Sequence, residues 1–536
     1  MNTFFKMLLF FITISGFAQS KKPNIIFIMT DDHATNAISS YGSVFNETPN
    51  IDRIANEGIR FNNTYVTNSI CAPSRAAILT GKLSHVNGVK GNIDIFDGSQ
   101  VTFPKLLKSA GYQTAIIGKW HLASNPTGFD YWSVLPGQGD YYNPDFIEMG
   151  VTHREQGYVT DLITDKALSW ISSIDKEKPF CLIYQQKAPH RNWMPALRHL
   201  ALYDDVKFPL PESLFDDYSN RGKAAKEQEM EIENHLYDLW DLKLGSPQEL
   251  EEGLANINLN ETTNPEELKE KDIIEANDKT QDLNKFLKVY KRLTPEQRKL
   301  WNKAYAKRQL EFRTLNLKGK ALVEWKYQQY MKDYLACIAS VDENIGRLFD
   351  YLETENILDD TMIVYTSDQG FFLGEHGWFD KRFMYEESYQ MPLVIRYPKK
   401  IKAGIKSSAL SMNIDFGPTI LDIAGVEVPV EMQGKSLKPI FENDGKTPDN
   451  WRKATYYHYY DYPSWHSVKR HYGIRTNDFK LIHFYNDIDE WELYDMNKDP
   501  KEMINVYGKK EYKKIQKELK NILTDVQKKY GEVQCK

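Results

Sequence analysis

The chain has 536 residues, of which 41% are hydrophobic, 26% are charged and four are cysteine. A chain of this length and apolar content buries a large core and is expected to form two or more domains. Its formal net charge of -6 provides no basic surface for nucleic acid, so a polyanionic ligand has to be bound by local cationic clusters. Four scattered cysteines are too few for a disulfide framework in a chain of this size.

The amino-terminal residues have the pattern of a secretory signal peptide. Lys6 precedes an apolar run at residues 7–12, and small residues follow up to Ala18. The apolar run is too short for a membrane span, and no cysteine lies near the cleavage point expected at Ala18 or Gln19, which disfavours a lipid anchor. We therefore predict that residues 1–19 are removed and that the mature protein is periplasmic or secreted, without a membrane anchor.

Two apolar runs of strand length, at residues 24–30 and 361–367, end in oxygen-bearing side chains. Continuous apolar runs of this kind predict central strands that are buried on both faces. Because ligands of open α/β sheets bind beyond the carboxyl ends of the strands, the side chains at the two ends are expected to converge. Carboxylates and an amide suit a hard cation such as calcium or magnesium, although an acidic pair after a strand is also a common turn former. The side chains concerned are Asp31, Asp32, Asp368 and Gln369.

The segment from Cys71 to Gly81 predicts a short helix with a cysteine at its start. Pro73 and Ser74 are favourable in a first helical turn, and Gly81 is a natural stop. A nucleophile at this point feels the positive end of the helix. The alternative is a buried, unreactive cysteine in front of an ordinary helix.

Two further apolar runs lead to potentially catalytic side chains. Residues 111–118 lead to Lys119 and His121, and residues 180–184 lead through a proline-containing bend to His190. A lone histidine is more often a structural residue than a catalyst. Because His190 follows a strand end beside the others, we consider it a candidate acid.

The remainder of the chain suggests its domain organisation. Residues 211–325 are rich in Lys, Glu and Asn and predict a mostly helical insertion on the outside of the sheet. An apolar stripe predicts a long helix at residues 330–352. Short aromatic strands then dominate up to a final helix at about 510–530. We predict a catalytic domain at residues 20–445, which contains the insertion, and a C-terminal subdomain at residues 446–536.

The pattern Cys71-x-Pro73-x-Arg75, followed by Thr80-Gly81, resembles the modification signature of the type I sulfatases. In that family the cysteine is oxidised to Cα-formylglycine. Residues 111–121 resemble the second sulfatase signature, although many members have glycine where this chain has Ala123. The resemblance spans nearly the whole mature chain. It implies an alkaline-phosphatase-like α/β fold, in which helices flank a large mixed sheet and a smaller C-terminal subdomain is built on an antiparallel sheet.

The resemblance also implies a metal centre and a maturation step. A maturation enzyme would convert Cys71 to formylglycine, whose hydrate would attack the sulfur of a sulfate ester. The implied cation is usually calcium, with Mg²⁺ less favoured, and it holds both the nucleophile and a sulfate oxygen. Many members have asparagine at the position of Gln369, which makes it the least secure ligand. The implied ligands are Asp31, Asp32, Cys71, Asp368 and Gln369.

The remaining implied roles concern charge and proton transfer. Arg75 and Lys119 would hold the nucleophile, and Lys381 would neutralise the sulfate. His190 would protonate the leaving sugar oxygen, and His121 would then accept a proton from residue 71. The alternative for Lys381 is a solvated cationic loop.

Cationic residues beside aromatic ones are candidates for binding the sugar, since aromatic faces stack on rings while Arg and His pair with anionic groups. Two of them, His466 and His471, are expected in a loop between C-terminal strands. The alternative is that the C-terminal aromatic residues are only the core of a small sheet, and we favour this alternative for Tyr456 to Tyr460. The candidates are Arg191, His376, Arg382, His466 and His471.

These features predict an exported sulfatase that acts on sulfated oligosaccharides, with an algal wall polymer such as ulvan favoured and a glycosaminoglycan as the alternative. A phosphoester hydrolase of the same fold would be expected to use an unmodified Ser or Thr and a histidine-rich two-metal site, and neither is visible. A non-catalytic glycan-binding protein would tolerate the loss of Cys71, Lys119 or His190, yet all three are present.

Overall fold

The computed structural model of the protein describes residues 22–256 and 279–532. The expected signal peptide at residues 1–19, the helical run at residues 265–268 and Cys535 lie outside this part of the chain. None of the helices within it has both the length and the apolar character that crossing a membrane requires.

The described part of the chain contains eighteen strands and fifteen α-helices, numbered here in chain order. The strands are β1 Asn24–Thr30, β2 Ile59–Phe61, β3 Thr64–Tyr65, β4 Gln113–Lys119, β5 Tyr131–Leu135, β6 Asp145–Glu148, β7 Val151–Arg154, β8 Phe180–Gln185, β9 Thr361–Ser367, β10 Phe372–Leu373, β11 Phe379–Asp380, β12 Leu393–Arg396, β13 Ile405–Ser407, β14 Ser411–Met412, β15 Thr455–Tyr459, β16 His471–Arg475, β17 Phe479–Phe484 and β18 Glu490–Asp495. The helices are α1 Pro49–Asn56, α2 Cys71–Thr80, α3 Ser84–Asn87, α4 Phe103–Ser109, α5 Val159–Ser173, α6 Lys223–Glu227, α7 Ile232–His235, α8 Pro247–Asn256, α9 Lys279–Arg292, α10 Pro295–Leu315, α11 Lys320–Thr354, α12 Glu386–Tyr389, α13 Phe416–Ile423, α14 Lys438–Glu442 and α15 Lys513–Tyr530.

Ten of these strands form one mixed sheet in the order β13-β2-β12-β9-β1-β8-β4-β5-β6-β7. Strands β9, β1, β8, β4 and β5 are parallel neighbours, while β12 runs antiparallel to β9 and to β2. In the centre, Ile26 pairs with Leu182 on one side and with Ile363 on the other. Because the central strands are parallel, their carboxyl ends lie along the same edge of the sheet.

Both faces of β1 are covered, which explains its continuous apolar sequence. Ile26 and Ile28 point into a core shared with α5 and α11, whereas Ile25, Phe27 and Met29 point into a second core shared with α2, α4 and α13. The bounds predicted for β1 and β9 are confirmed residue for residue. The long helix α11 starts ten residues before the predicted residue 330.

The described part of the insertion, residues 211–256 and 279–325, is mostly helical, but it is not confined to the outside of the sheet as expected. Phe286 of α9 and Trp301 and Tyr305 of α10 are buried in the same core as Ile26. The segment before α7 also reaches the C-terminal subdomain, where the backbone N–H of Glu229 donates to the carbonyl of His466 at 2.8 Å. Buried aromatic side chains therefore attach the insertion to the catalytic core. The domain boundaries themselves stay a prediction.

A separate sheet forms the C-terminal subdomain, with β15, β16, β17 and β18 as antiparallel neighbours in chain order. Tyr456 and Ile474 pack with Leu519 and Leu523 of α15. The aromatic run from Tyr456 therefore belongs to the core of the small sheet, as we favoured for these residues from the sequence. His471 is the first residue of β16, which corrects the expectation that it lies in a loop.

Candidate active site

Four central strands deliver polar side chains to one edge of the large sheet. Asp31 and Asp32 follow β1, Asp368 follows β9, and Lys119 is the last residue of β4. His190 comes from the segment after β8, the strand between β1 and β4. The parallel arrangement of these strands brings the five side chains to one place, as the sequence predicted.

Cys71 is the first residue of α2, which is buried along its whole length and ends at Gly81 in a left-handed conformation with φ 64°. The Cys71 Sγ lies 3.4 Å from Asp31 Oδ1 and 3.7 Å from Lys381 Nζ. Burial raises the pKa of the Cys71 thiol to about 12, and the lysine only partly opposes this. The unmodified thiol is therefore protonated at neutral pH, because burial disfavours the thiolate.

Three buried carboxylates form the centre of the site. Oxygen atoms of Asp31, Asp32 and Asp368 all lie within 4.8 Å of one another. Burial raises the pKa of Asp32 to about 6, which Lys381 opposes and Asp368 reinforces. Carboxylates this close repel one another, and a divalent cation relieves that repulsion.

The amide of Gln369 completes the acidic cluster. Its Nε2 donates to Asp32 Oδ1 at 2.5 Å, and its Oε1 is buried without a hydrogen-bond partner in the described structure. A buried amide oxygen beside three carboxylates fits the oxygen ligand set that calcium or magnesium prefers. The predicted ligands are therefore together, and their chemistry fits a hard cation.

Three buried cations lie among these carboxylates. Arg75 donates from Nε and Nη2 to Asp368 Oδ2 at 3.1 and 2.9 Å, and from Nη1 to the carbonyl of Lys119 at 2.8 Å. Lys119 Nζ donates to Asp31 Oδ2, and Lys381 Nζ donates to Asp32 Oδ1 at 2.6 Å. The alternative of a solvated loop is therefore wrong for Lys381, which is buried and ion-paired.

The two candidate proton-transfer residues are neutral imidazoles in this environment. Burial, reinforced by Lys119, holds the pKa of His121 and of His190 well below the usual range. His190 donates from Nδ1 to the carbonyl of Arg191 at 2.5 Å, which leaves its Nε2 3.9 Å from Asp32 Oδ2. His121 accepts from the amide of Gln138 at 3.0 Å through Nε2.

Sequence reasoning missed two residues of the site. Gln138 also accepts from Lys119 Nζ at 2.5 Å, so it connects Lys119 to His121. Its flanking residues Gly137 and Gly139 have φ of 51° and 68°, and this Gly-Gln-Gly turn was the available signal. The other is Asp380, an acidic residue directly in front of Lys381 and Arg382.

Asp380 organises two of the predicted sugar-binding residues. Its Oδ1 lies 3.3 Å from Arg382 Nε, and its Oδ2 lies 3.2 Å from His466 Nε2. Although burial opposes it, His466, Arg382 and Lys381 hold the pKa of Asp380 well below its usual range. The Nη1 of Arg382 is buried without a hydrogen-bond partner among the described residues, so it keeps donor capacity.

Arg191 lies beside His466. Its guanidinium donates to both oxygens of Asp241, at 2.7 and 2.5 Å, and lies near the rings of Tyr237 and Phe379. Its Nη1 is 3.5 Å from His466 Nε2. The Arg191 charge, which was expected to pair with an anionic group of the sugar, is therefore already paired with Asp241.

The structure corrects the expectation for His376 and His471, which are fully buried. His376 accepts from Arg221 Nη1 at 2.8 Å and packs among aromatic rings that include Trp378. His471 donates from Nδ1 to the carbonyl of Lys469 at 2.8 Å and accepts from the Met384 N–H at 3.1 Å. Their hydrogen bonds and burial assign them to the support of the fold, not to sugar binding.

Several residues of the site have left-handed backbone conformations, which cost energy for residues other than glycine. Such strain persists only where the surrounding structure holds it, as in many functional sites. Exposed Ala123, where many sulfatases have glycine, has φ 52°. The site residues and their φ values are Asp32 at 67°, His121 at 54°, Asp380 at 74°, Arg382 at 92° and His466 at 67°.

A family model described as Sulfatase matches residues 23–426, and one described as N-sulphoglucosamine sulphohydrolase, C-terminal, matches residues 374–529. An N-acetylglucosamine-6-O-sulfatase from Bacteroides thetaiotaomicron is 61% identical over 515 residues, which are 96% of this chain and 87% of the relative. The human N-acetylglucosamine-6-sulfatase is 26% identical over 463 residues, which are 81% of this chain and 67% of the relative.

A solved structure of a protein in complex with its substrate D-glucosamine-2-N,6-O-disulfate is similar in fold, with a TM-score of 0.89 and 60% identity. The match covers 96% of this chain and 99% of the other. The expected alkaline-phosphatase-like fold and the expected enzyme class are thus confirmed. The chain belongs to the sulfatase family.

Proposed function

We propose that the protein hydrolyses the 6-O-sulfate ester of glucosamine residues derived from glycosaminoglycans. The observation that carries the hydrolytic part is the position of Cys71 between Asp31 and Lys381, within a cluster of buried carboxylates and cations. The sugar is supported by a relative with 61% identity that is an N-acetylglucosamine-6-O-sulfatase. It is also supported by the similar structure that holds D-glucosamine-2-N,6-O-disulfate.

This proposal replaces the substrate that we favoured from the sequence. An algal polymer such as ulvan has no support among these relatives, and the glycosaminoglycan alternative fits them better. Export to the periplasm or beyond stays a prediction from residues 1–19, and the maturation enzyme stays a prediction from the Cys71 motif.

The nucleophile is proposed to be the hydrate of formylglycine, formed from Cys71. The residues that would hold the divalent cation are Asp31, Asp32, Asp368 and Gln369, together with residue 71. When bound, the cation neutralises negative charge on the sulfate and on the nucleophile.

Residues of the chain then supply positioning and charge compensation. Lys119 donates to Asp31, which contacts Cys71 Sγ, and Arg75 donates to Asp368, so the two cations hold the carboxylates around residue 71 in place. Lys381 Nζ contacts both Asp32 and Cys71 Sγ, and it is proposed to bind a sulfate oxygen. Fixed, buried cations stabilise charge that develops in the transition state without having to reorganise.

The two histidines are proposed to move protons at defined atoms. The Nδ1 of His190 is committed to the carbonyl of Arg191, so Nε2 is the atom that carries the proton to the leaving sugar oxygen. The negative charge of a bound sulfate favours this protonated form. His121 is neutral, and its Nε2, which accepts from the Gln138 amide before the reaction, is the atom that takes the proton from residue 71 when sulfate leaves.

The cluster of Asp380, Arg382 and His466 is proposed to bind the sugar. A carboxylate accepts hydrogen bonds from hydroxyl groups, and a guanidinium donates them, so the pair discriminates hydroxyl positions on a ring. Asp380 and Arg382 are the chain neighbours of Lys381. The residues proposed to bind the sugar are therefore directly connected to the lysine proposed to bind the sulfate.

The test uses protein that is matured in cells containing a formylglycine-generating enzyme. We expect release of sulfate from N-acetylglucosamine 6-sulfate, and at most a hundredth of that kcat/KM on N-acetylgalactosamine 6-sulfate or on ulvan oligosaccharides. His466→Ala should lower kcat/KM on the glucosamine substrate about tenfold, or about 1.4 kcal/mol of transition-state binding. Preference for the galactosamine or ulvan substrates would contradict the proposal.

A further inference from the structure

A lysine from the helical insertion lies beside the proposed sugar-binding cluster. The Nζ of Lys285, on helix α9, is 4.6 Å from the ring centroid of Trp465 and 5.3 Å from that of Tyr237. Trp465 directly precedes His466, and the Tyr237 ring is 5.0 Å from the Arg191 guanidinium. Lys285 is therefore separated from His466 and Arg191 by only one aromatic side chain each.

Unlike the cations around it, Lys285 has no carboxylate partner within the described residues. Arg191 pairs with Asp241, Arg382 with Asp380, and Lys469 with Glu227. In the same part of the chain, no carboxylate oxygen lies within ion-pair distance of Lys285 Nζ, and its contacts are with the two aromatic rings.

The nearest acidic residue of the same helix is already engaged. Asp282, one turn before Lys285, accepts from the backbone N–H groups of Leu239 and Trp240 at 2.9 and 2.8 Å. Its carboxylate anchors α9 to the preceding loop and thereby fixes the position of Lys285. The helix therefore holds this lysine in place without forming a direct ion pair with it.

An ammonium group that is partly buried and unpaired is unfavourable unless something compensates its charge. Burial lowers the pKa of Lys285 to about 8, and Arg191 acts in the same direction, whereas the more distant carboxylates of Asp241 and Asp282 oppose the shift. The aromatic faces offset only part of this cost. A negatively charged group on a ligand would complete the arrangement, and both Lys285 and Trp465 are only partly buried.

We propose that Lys285, with Trp465 and Tyr237, forms a second anion subsite at the rim of the active site. It would take a negatively charged group of the glycan other than the ester being hydrolysed. That group is either a sulfamate on the same sugar or the carboxylate of a neighbouring uronic acid. The inference rests on the proposed function, because it places a sulfated sugar in the pocket at Cys71. It assigns a role in substrate choice to the insertion.

The test compares Lys285→Gln with Lys291→Gln. Lys291 is an exposed residue of the same helix, so the control removes the same charge without touching the subsite. The substrates are glucosamine 6-sulfate, glucosamine 2-N,6-O-disulfate, and a disaccharide in which N-acetylglucosamine 6-sulfate is linked to a uronic acid. Lys285→Arg serves as the conservative variant.

We expect Lys285→Gln to lower kcat/KM about tenfold on one or both substrates that carry a second anion, mainly by raising KM. The monosulfated sugar should change less than twofold, and Lys291→Gln should leave all three unchanged. The affected substrate identifies the source of the anion. Lys285→Arg should restore most of the loss, which a purely structural role would not predict.

Binding measurements separate this inference from the proposed function. Calorimetry with Cys71→Ala protein compares the same three ligands without turnover, and adding Lys285→Gln should weaken only those with a second anion. Equal losses on all ligands, or no loss on any, would overturn the subsite. If the matured enzyme hydrolyses none of the glucosamine sulfates but the selective binding difference persists, the proposed reaction fails and the subsite stands. Absence of binding by all three ligands would overturn both.

Discussion

The two C-terminal histidines should respond to mutation in opposite ways, and His471 gives the sharper prediction. The rings of Tyr457, Phe383 and Phe484 pack against it, and both its nitrogens bond to backbone groups. Burial lowers the pKa of His471 to about 3, compared with 6.5 for an unperturbed histidine. The folded protein therefore keeps this ring neutral, whereas the unfolded chain protonates it as the pH falls.

The lowered pKa determines how the unfolding free energy depends on pH. The contribution of His471 to stability is complete above pH 6.5 and is lost progressively as the pH falls from 6.5 towards 3, because the unfolded state binds the additional proton. Between pH 7 and pH 5 the loss amounts to about 2 kcal/mol of unfolding free energy, at about 1.4 kcal/mol per pH unit. If His471 is replaced by a side chain that does not titrate in this range, this pH-dependent loss of unfolding free energy disappears.

The assay is urea unfolding of the wild type and of His471→Gln at pH 7 and pH 5. The variant should be less stable at pH 7 by about 2–4 kcal/mol, since it loses ring packing in a buried site. Its further loss at pH 5 should be about 2 kcal/mol smaller than that of the wild type. His466→Ala serves as the functional comparison, because it should reduce kcat/KM on the oligosaccharide under conditions in which the variant is folded.

Catalysis by the folded fraction of His471→Gln should stay within about threefold of the wild type, because His471 is fully buried and its hydrogen bonds go to backbone groups outside the proposed sugar-binding cluster. Two results would refute this reasoning. One is an identical pH dependence of stability in the variant and the wild type. The other is a large, selective loss of activity on the oligosaccharide at undiminished stability, which would show that His471 binds substrate.

Three further predictions concern residue 71, the cation and Ala123. Cys71→Ala should fold normally but lose several orders of magnitude in kcat, and peptide mass analysis of matured wild type should show formylglycine at position 71. Chelation should abolish activity and lower the melting temperature, because the buried carboxylates of Asp31, Asp32 and Asp368 then repel one another, and calcium should restore both. Ala123→Gly should raise the free energy of unfolding by about 0.5–1 kcal/mol, because glycine relieves the left-handed backbone with φ 52°.

Each of these has a clear opposing result. Undiminished turnover by Cys71→Ala would refute the nucleophile, and full activity in protein shown to be metal-free by elemental analysis would refute the cation site. A loss of stability in Ala123→Gly would mean that the methyl group makes contacts that outweigh the backbone strain.

The sequence by itself determined two central strands and the catalytic edge of the sheet. The runs at residues 24–30 and 361–367 were identified to the residue, because a strand buried on both faces needs an unbroken apolar sequence. Parallel neighbours then bring their carboxyl ends together whatever else the chain does. The apolar runs and the residues that follow them were therefore enough to group Asp31, Asp32 and Asp368.

Only the tertiary structure decided which polar residues face the pocket. His466 and His471 are five residues apart in similar aromatic surroundings, yet one contacts Asp380 and the other is enclosed in the small sheet. Gln138 and Lys285 also acquire their neighbours from segments distant in the chain. Sequence patterns report local preference, whereas burial and charge pairing depend on contacts between remote segments, and those contacts distinguish a binding residue from a structural one.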